Sequence, residues 1–178
     1  MFKRSISLFK LFGFEVRLHW TWSIIALLVL WSLARGVFPS AIQGLAAGTY
    51  WWMAAVGATG LFFSIILHEL GHAVVARSYG IPMRSITLFV FGGVAEMERD
   101  PPNPKSEFLM ALAGPVTSYI VAGAAVALRL LNDALAWPVQ ATVILSYLCW
   151  INVLLASFNL IPAFPLDGGR IFRSILWA

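Results

Sequence analysis

The chain has 178 residues, 60% hydrophobic and 11% charged, with a formal net charge of +4 and a mean hydropathy of +0.84. A soluble domain carries about a quarter charged residues, so a water-soluble globule of this size is excluded and lipid is the natural solvent. The single cysteine, Cys149, excludes a disulfide framework and a thiolate-rich metal site. The basic residues are scattered around apolar runs and form no patch, which argues against a nucleic-acid partner.

In chain order the pattern predicts an all-α polytopic membrane protein, a single transmembrane core over 1–178. A spanning helix needs about 20 mostly apolar residues. Spans are expected at 18–34, 49–79, 106–131 and 135–158. The first lacks a small-x-small cleavage site and has Trp31 and Arg35 where one would stand, so it reads as a span and not a signal peptide. Residues 36–48 read as a loop. Residues 84–97 are rich in β-formers and too short to span; they predict a short β-hairpin or sheet near the cytoplasmic interface. Pro101, Pro102 and Pro104 break the chain before the third span. Residues 168–178 look like the first turns of a further helix, cut short, so a fragment of a longer protein is expected. Most tryptophans fall near span ends, as interfacial anchors do.

Lys and Arg set the direction. Lys3, Arg4, Lys10 and Arg17 precede the first span; Arg77, Arg84, Arg99 and Lys105 lie between the second and third; Arg170 and Arg173 follow the fourth. The opposite loops hold only Arg35 and Arg129. The positive-inside rule then makes the N-terminus and the central loop cytoplasmic in a multi-pass cell-membrane protein.

The run His68-Glu69-Leu70-Gly71-His72 lies near the cytoplasmic end of the second span. Residues four apart share a helix face, so His68 and His72 can aim two imidazoles at one zinc ion, with Glu69 placed as general base. Chance occurrence is a weak explanation, because three ionisable groups in an apolar span are costly to keep. Zinc needs a third protein ligand and an open position. The remaining histidine, His19, sits beside Trp20 at a span edge and reads as interfacial. Asp133 falls on the far side. Asp167 returns to the motif's side, in a stretch with Pro162, Pro165, Gly168 and Gly169 that cannot be ordinary helix. Irregular backbone at membrane depth belongs where it lines a cavity, which makes Asp167 the best third ligand.

These motifs carry a resemblance. His68 to His72, together with Asn159-Leu160-Ile161-Pro162-Ala163-Phe164-Pro165-Leu166-Asp167-Gly168-Gly169, resemble the site-2 protease family of intramembrane zinc metalloproteases. Phe91-Gly92-Gly93-Val94-Ala95 and Ala113-Gly114-Pro115 fit it as well. The resemblance implies one zinc held by His68, His72 and Asp167, Glu69 as catalytic base, and Asn159 holding substrate or polarising the scissile carbonyl. It also implies a membrane-anchored protein substrate cut in regulated intramembrane proteolysis. The branch it is most similar to often carries nucleotide-sensing cystathionine-beta-synthase (CBS) domains downstream. No such domain lies in these residues, so nucleotide control is expected only if one follows them.

Asn152 and Asn159 are seven apart and could line one wet helix face; for Asn152 a helix-to-helix hydrogen bond reads equally well. An exposed edge in the β segment could pair with an unwound substrate strand, or the sheet could simply pack the core. Gly114-Pro115 reads first as close helix packing. Three rivals remain: a membrane gluzincin drawing its third ligand from Glu96, Glu98 or Glu107; a metal transporter, which would need polar groups along a complete path; and an inactive scaffold.

Overall fold

The structure is a computed structural model that describes residues 5–11, 14–81, 83–89, 92–97 and 100–178. Lys3, Arg4, Phe91, Glu98 and Arg99, used above, lie outside them, as does Val90 of the predicted β segment.

The chain opens with two strands, β1 (Ser5–Leu11) and β2 (Phe14–His19). Helix α1 (Trp22–Ser32) follows, widens into a π-helical turn over Leu33–Val37, and ends in α2 (Phe38–Ala41). Pro39 has no N–H to offer the Arg35 carbonyl, a usual cause of a disturbed helical ladder. Next come α3 (Ala47–Ser78), β3 (Met83–Phe89), β4 (Gly92–Met97), α4 (Pro104–Ala134), α5 (Val139–Asn159) and α6 (Asp167–Trp177).

The expectation of helices with one short β segment over 84–97 lacked the two N-terminal strands. The strands form a four-stranded sheet in the order β1-β2-β3-β4. β1 and β2 pair antiparallel, β2 and β3 parallel, and β3 and β4 antiparallel. The first span also begins at Trp22 and not at residue 18, because Leu18 pairs with Leu88 in the sheet. The loop expected over 36–48 is helical as far as Ala41.

Four helical stretches are long and apolar enough to cross a membrane: Trp22–Ala41, Ala47–Ser78, Pro104–Ala134 and Val139–Asn159. The 32 residues of α3 extend about 48 Å at about 1.5 Å per residue, well beyond a hydrocarbon core of about 30 Å. Packing is inside-out relative to a soluble protein. Large apolar side chains such as Leu27, Ile120 and Trp150 are exposed, while Ala54, Ala58, Ala73, Ala76, Ala111 and Ala122 are buried. Small residues let helix backbones approach closely where the hydrophobic effect drives no association.

Two helix ends aim the chain toward the site. α3 closes in a Schellman motif: Ile81 N–H bonds the Ala76 carbonyl at 3.1 Å and Gly80 N–H the Arg77 carbonyl at 3.0 Å. Gly80 takes φ +67° there, a conformation glycine adopts freely. The buried Ile81 then packs on Ala73, Ala76 and Met110. α4 opens with a capping box: the Asn103 side chain accepts from Ser106 N–H at 2.9 Å and Ser106 Oγ accepts from Asn103 N–H at 3.3 Å. Pro104 fits the first turn because its missing N–H has no helical partner to lose. α1, α4 and α6 start, and α3 and α5 end, on the side of the bundle that carries the sheet.

Candidate metal centre

His68 and His72 lie one turn apart on α3, on its inner face, with 3% and 8% of their surface exposed. They face one stripe of α4, made by Met110, Gly114 and Ser118, each four residues from the next. His72 Nδ1 lies 2.7 Å from the Met110 carbonyl oxygen. His68 Nδ1 lies 2.9 Å from Ser118 Oγ. Gly114 between them leaves room for the rings: a Cβ there would fall 2.5 Å from His72 Cε1 and 2.6 Å from His68 Nε2. Gly71 plays the matching part on α3, where a Cβ would sit 2.8 Å from the Ala113 carbonyl oxygen.

Asp167 is the first residue of α6 and comes from a different part of the chain. The turn before it holds Pro162 and Pro165, and α6 packs tightly back on it. A Cβ on Gly169 would lie 2.8 Å from the Ala163 carbonyl, and one on Gly168 would strike the Leu160 and Ile161 carbonyls. Held so, Asp167 Oδ2 lies 3.2 Å from His68 Nε2 and 3.2 Å from His72 Nε2. The two Nε2 atoms are themselves 3.2 Å apart. The three atoms make an equilateral triangle. Among the described residues, His68, His72 and Asp167 are the group that could hold a metal ion.

The donor set fits zinc. A carbonyl can only accept, so His72 Nδ1 carries a hydrogen, and in the neutral ring Nε2 is then a bare lone pair. With His68 Nε2 also unprotonated, the three atoms are acceptors facing one another in a buried pocket, an arrangement that a cation between them satisfies. Tetrahedral ligands about 2.0–2.1 Å from zinc stand about 3.3 Å apart, close to the edge observed. Asp167 completes the set with a carboxylate oxygen.

Glu69 is half-buried, and its carboxylate is coupled electrostatically to His72, His68, Asp167 and Arg170. Asn159, at the end of α5, donates one amide hydrogen to the Leu155 carbonyl at 2.8 Å. Asn152 is fully buried and donates to Ser64 Oγ at 2.9 Å, a bond from α5 to α3. That is the helix-to-helix alternative. Glu107, offered as a gluzincin ligand, is paired with Arg173 and Arg170. Asp133 accepts from Thr142 at 2.8 Å. Sequence reasoning misses Met110, Gly114 and Ser118 as site residues, and it offers Glu107 only as a ligand. The Ala113-Gly114-Pro115 run is the one signal of that stripe in the sequence, and it reads first as close packing.

Residues 56–134 and 130–178 match the family model for peptidase family M50. The chain belongs to peptidase family M50. Several named zinc metalloproteases are similar to this M50 chain. Rip3 of Mycobacterium tuberculosis is 40% identical over 173 residues, 97% of this chain and 44% of the relative. The protein sll0528 of Synechocystis is 38% identical over the same shares. MJ0392 of Methanocaldococcus jannaschii is 37% identical over 97% of this chain and 45% of its own length. The chain thus spans under half the length of these curated relatives. Among solved structures, the site-2 protease from Methanocaldococcus jannaschii superposes with a TM-score of 0.63 at 34% identity, covering 97% of this chain and 71% of that one.

Proposed function

We propose that this M50 chain is the core of an intramembrane zinc metalloendopeptidase that hydrolyses peptide bonds of membrane-anchored proteins. The observation that carries the reading is the 3.2 Å triangle of His68 Nε2, His72 Nε2 and Asp167 Oδ2. These residues would hold one zinc per chain. When bound, zinc supplies Lewis acidity, acidifying water and polarising a carbonyl.

The protein's own groups do the rest. Glu69, beside the ligands, takes a proton from the attacking water and gives it to the leaving nitrogen as the C–N bond breaks. Asn159 keeps a second amide hydrogen and its oxygen for a substrate backbone, one hydrogen being engaged by Leu155. β4 is an edge strand of the sheet and packs against α3. Its outer backbone groups offer an extended substrate a strand to pair with.

Access follows from depth. His68 is ten residues from the end of α3 at Ser78, roughly 15 Å along the axis. Water therefore needs a vestibule from one side and not a full channel. The Lys/Arg bias puts that side, with the N-terminus, in the cytoplasm.

The test is metal analysis with cleavage of a single-span membrane substrate, wild type against Glu69→Gln. Zinc should stay stoichiometric while cleavage falls by about 10²–10⁴-fold, the usual share of a general base. Normal cleavage by purified Glu69→Gln protein would remove Glu69 from its role.

A further inference from the structure

Glu107 has no part in the chemistry above, yet it is completely buried, in the first turn of α4. A carboxylate taken out of water needs a cationic partner with good geometry. Both of its partners come from α6. Arg173 Nε donates to Oε2 at 3.1 Å and its Nη2 donates to Oε1, a two-pronged grip. Arg170 Nε stands 3.8 Å from Oε1.

α6 is a helix of 11 residues, too short to be stable by itself in water, so tertiary contacts set its orientation. Asp167, Arg170 and Arg173 are three apart and share its inward face, with Ser174 buried beside them. Phe172, Ile175 and Leu176 on the other side are exposed. Arg173 sits six residues from Asp167, about 9 Å along the helix. The turn packed on Gly168 and Gly169 fixes one end of α6 and the Glu107 grip fixes the other.

We infer that Glu107 is a positioning residue for the metal centre: by holding Arg170 and Arg173 it fixes the helix whose first residue is Asp167. Metal–ligand distances hold to about 0.2 Å, so a small tilt of α6 takes the carboxylate out of reach. The inward stripe of α4 then aligns the whole site. Glu107 sets the helix that bears Asp167, the Met110 carbonyl sets His72, Ser118 sets His68, and Gly114 makes room for both rings. The inference rests on the reading of His68, His72 and Asp167 as the ligands.

The experiment measures zinc affinity by chelator competition, and the visible spectrum of the cobalt-substituted protein, on the full chain in detergent. Wild type, Glu107→Gln, Arg173→Ala and Asp167→Ala are compared. Glu107→Gln should raise the zinc Kd about 10–100-fold, the range for supports behind metal ligands, and shift the cobalt bands. Arg173→Ala, at a half-exposed side chain, should weaken zinc in the same direction and less. Either variant, folded and binding zinc with wild-type Kd and cobalt spectrum, overturns the inference while Asp167→Ala still loses metal. Should Glu107→Gln fail to fold, Arg173→Ala decides alone. Wild-type zinc binding by Asp167→Ala would instead sink the ligand assignment, and the inference with it.

Discussion

The His72 imidazole is pinned to the Met110 carbonyl, 2.7 Å from Nδ1 to oxygen, and this one bond decides what the ring can do. It fixes the tautomer, and with it the lone pair on Nε2 that points at His68 and Asp167. The triangle is built for a positive charge, and removing that charge leaves acceptors against one another in a buried place. Stripping zinc with a chelator should therefore lower thermal stability as well as activity. A ligand that binds only the folded state adds about 2.7 kcal/mol when its free concentration is 100 times Kd. The check is Tm in detergent against free zinc. The zinc-dependent rise should vanish in Asp167→Ala, and an equal rise there would show that zinc stabilises from another site.

Gly114→Ala separates helix stability from metal binding. Alanine is the better helix former by about 1 kcal/mol, so α4 itself gains. Yet the new methyl would fall 2.6 Å from His68 Nε2 and against the His72 ring, and both rings are held by hydrogen bonds of their own. Helical content should hold while stoichiometric zinc and proteolysis are lost. Full zinc occupancy in Gly114→Ala would mean that the rings can retreat, and that the stripe on α4 is looser than its distances imply.

The two halves of the site were unequally legible in the sequence. His68, Glu69 and His72 could be read because their relation is local: four residues on a helix fix a shared face. Asp167 could be reached by elimination, since so few acids fall on the motif's side of the membrane and its Pro/Gly neighbours forbid helix. The supports on α4 could not. Which stripe of α4 meets His68 and His72 depends on how two long helices cross, and apolar composition alone does not fix that. Glu107 falls at the start of the predicted third span, and nothing local ties it to Arg173, 66 residues further along the chain. The N-terminal strands left a clear trace in the alternation of Phe14, Val16 and Leu18 with Glu15, Arg17 and His19. An apolar run that already begins at Leu18 hides it, because composition alone does not mark where a strand gives way to a span.

Ser118 offers the sharpest test of the supports, because its hydroxyl is completely buried and stands beside a ligand it does not replace. If His68 gives Nε2 to the metal, its Nδ1 carries the hydrogen and donates to Ser118 Oγ. Ser118→Ala removes a small hydroxyl without crowding the site. It leaves that N–H buried with no acceptor and the ring free to turn. Loss of such a support costs about 10–100-fold in metal affinity or activity, whereas a purely packing serine would cost little in either. The zinc Kd should rise within that range with Tm of the zinc-free protein nearly unchanged. An unaltered zinc Kd would put the orientation of His68 down to packing against α4 alone and leave the Met110 carbonyl as the one hydrogen bond that orients a ring of the pair.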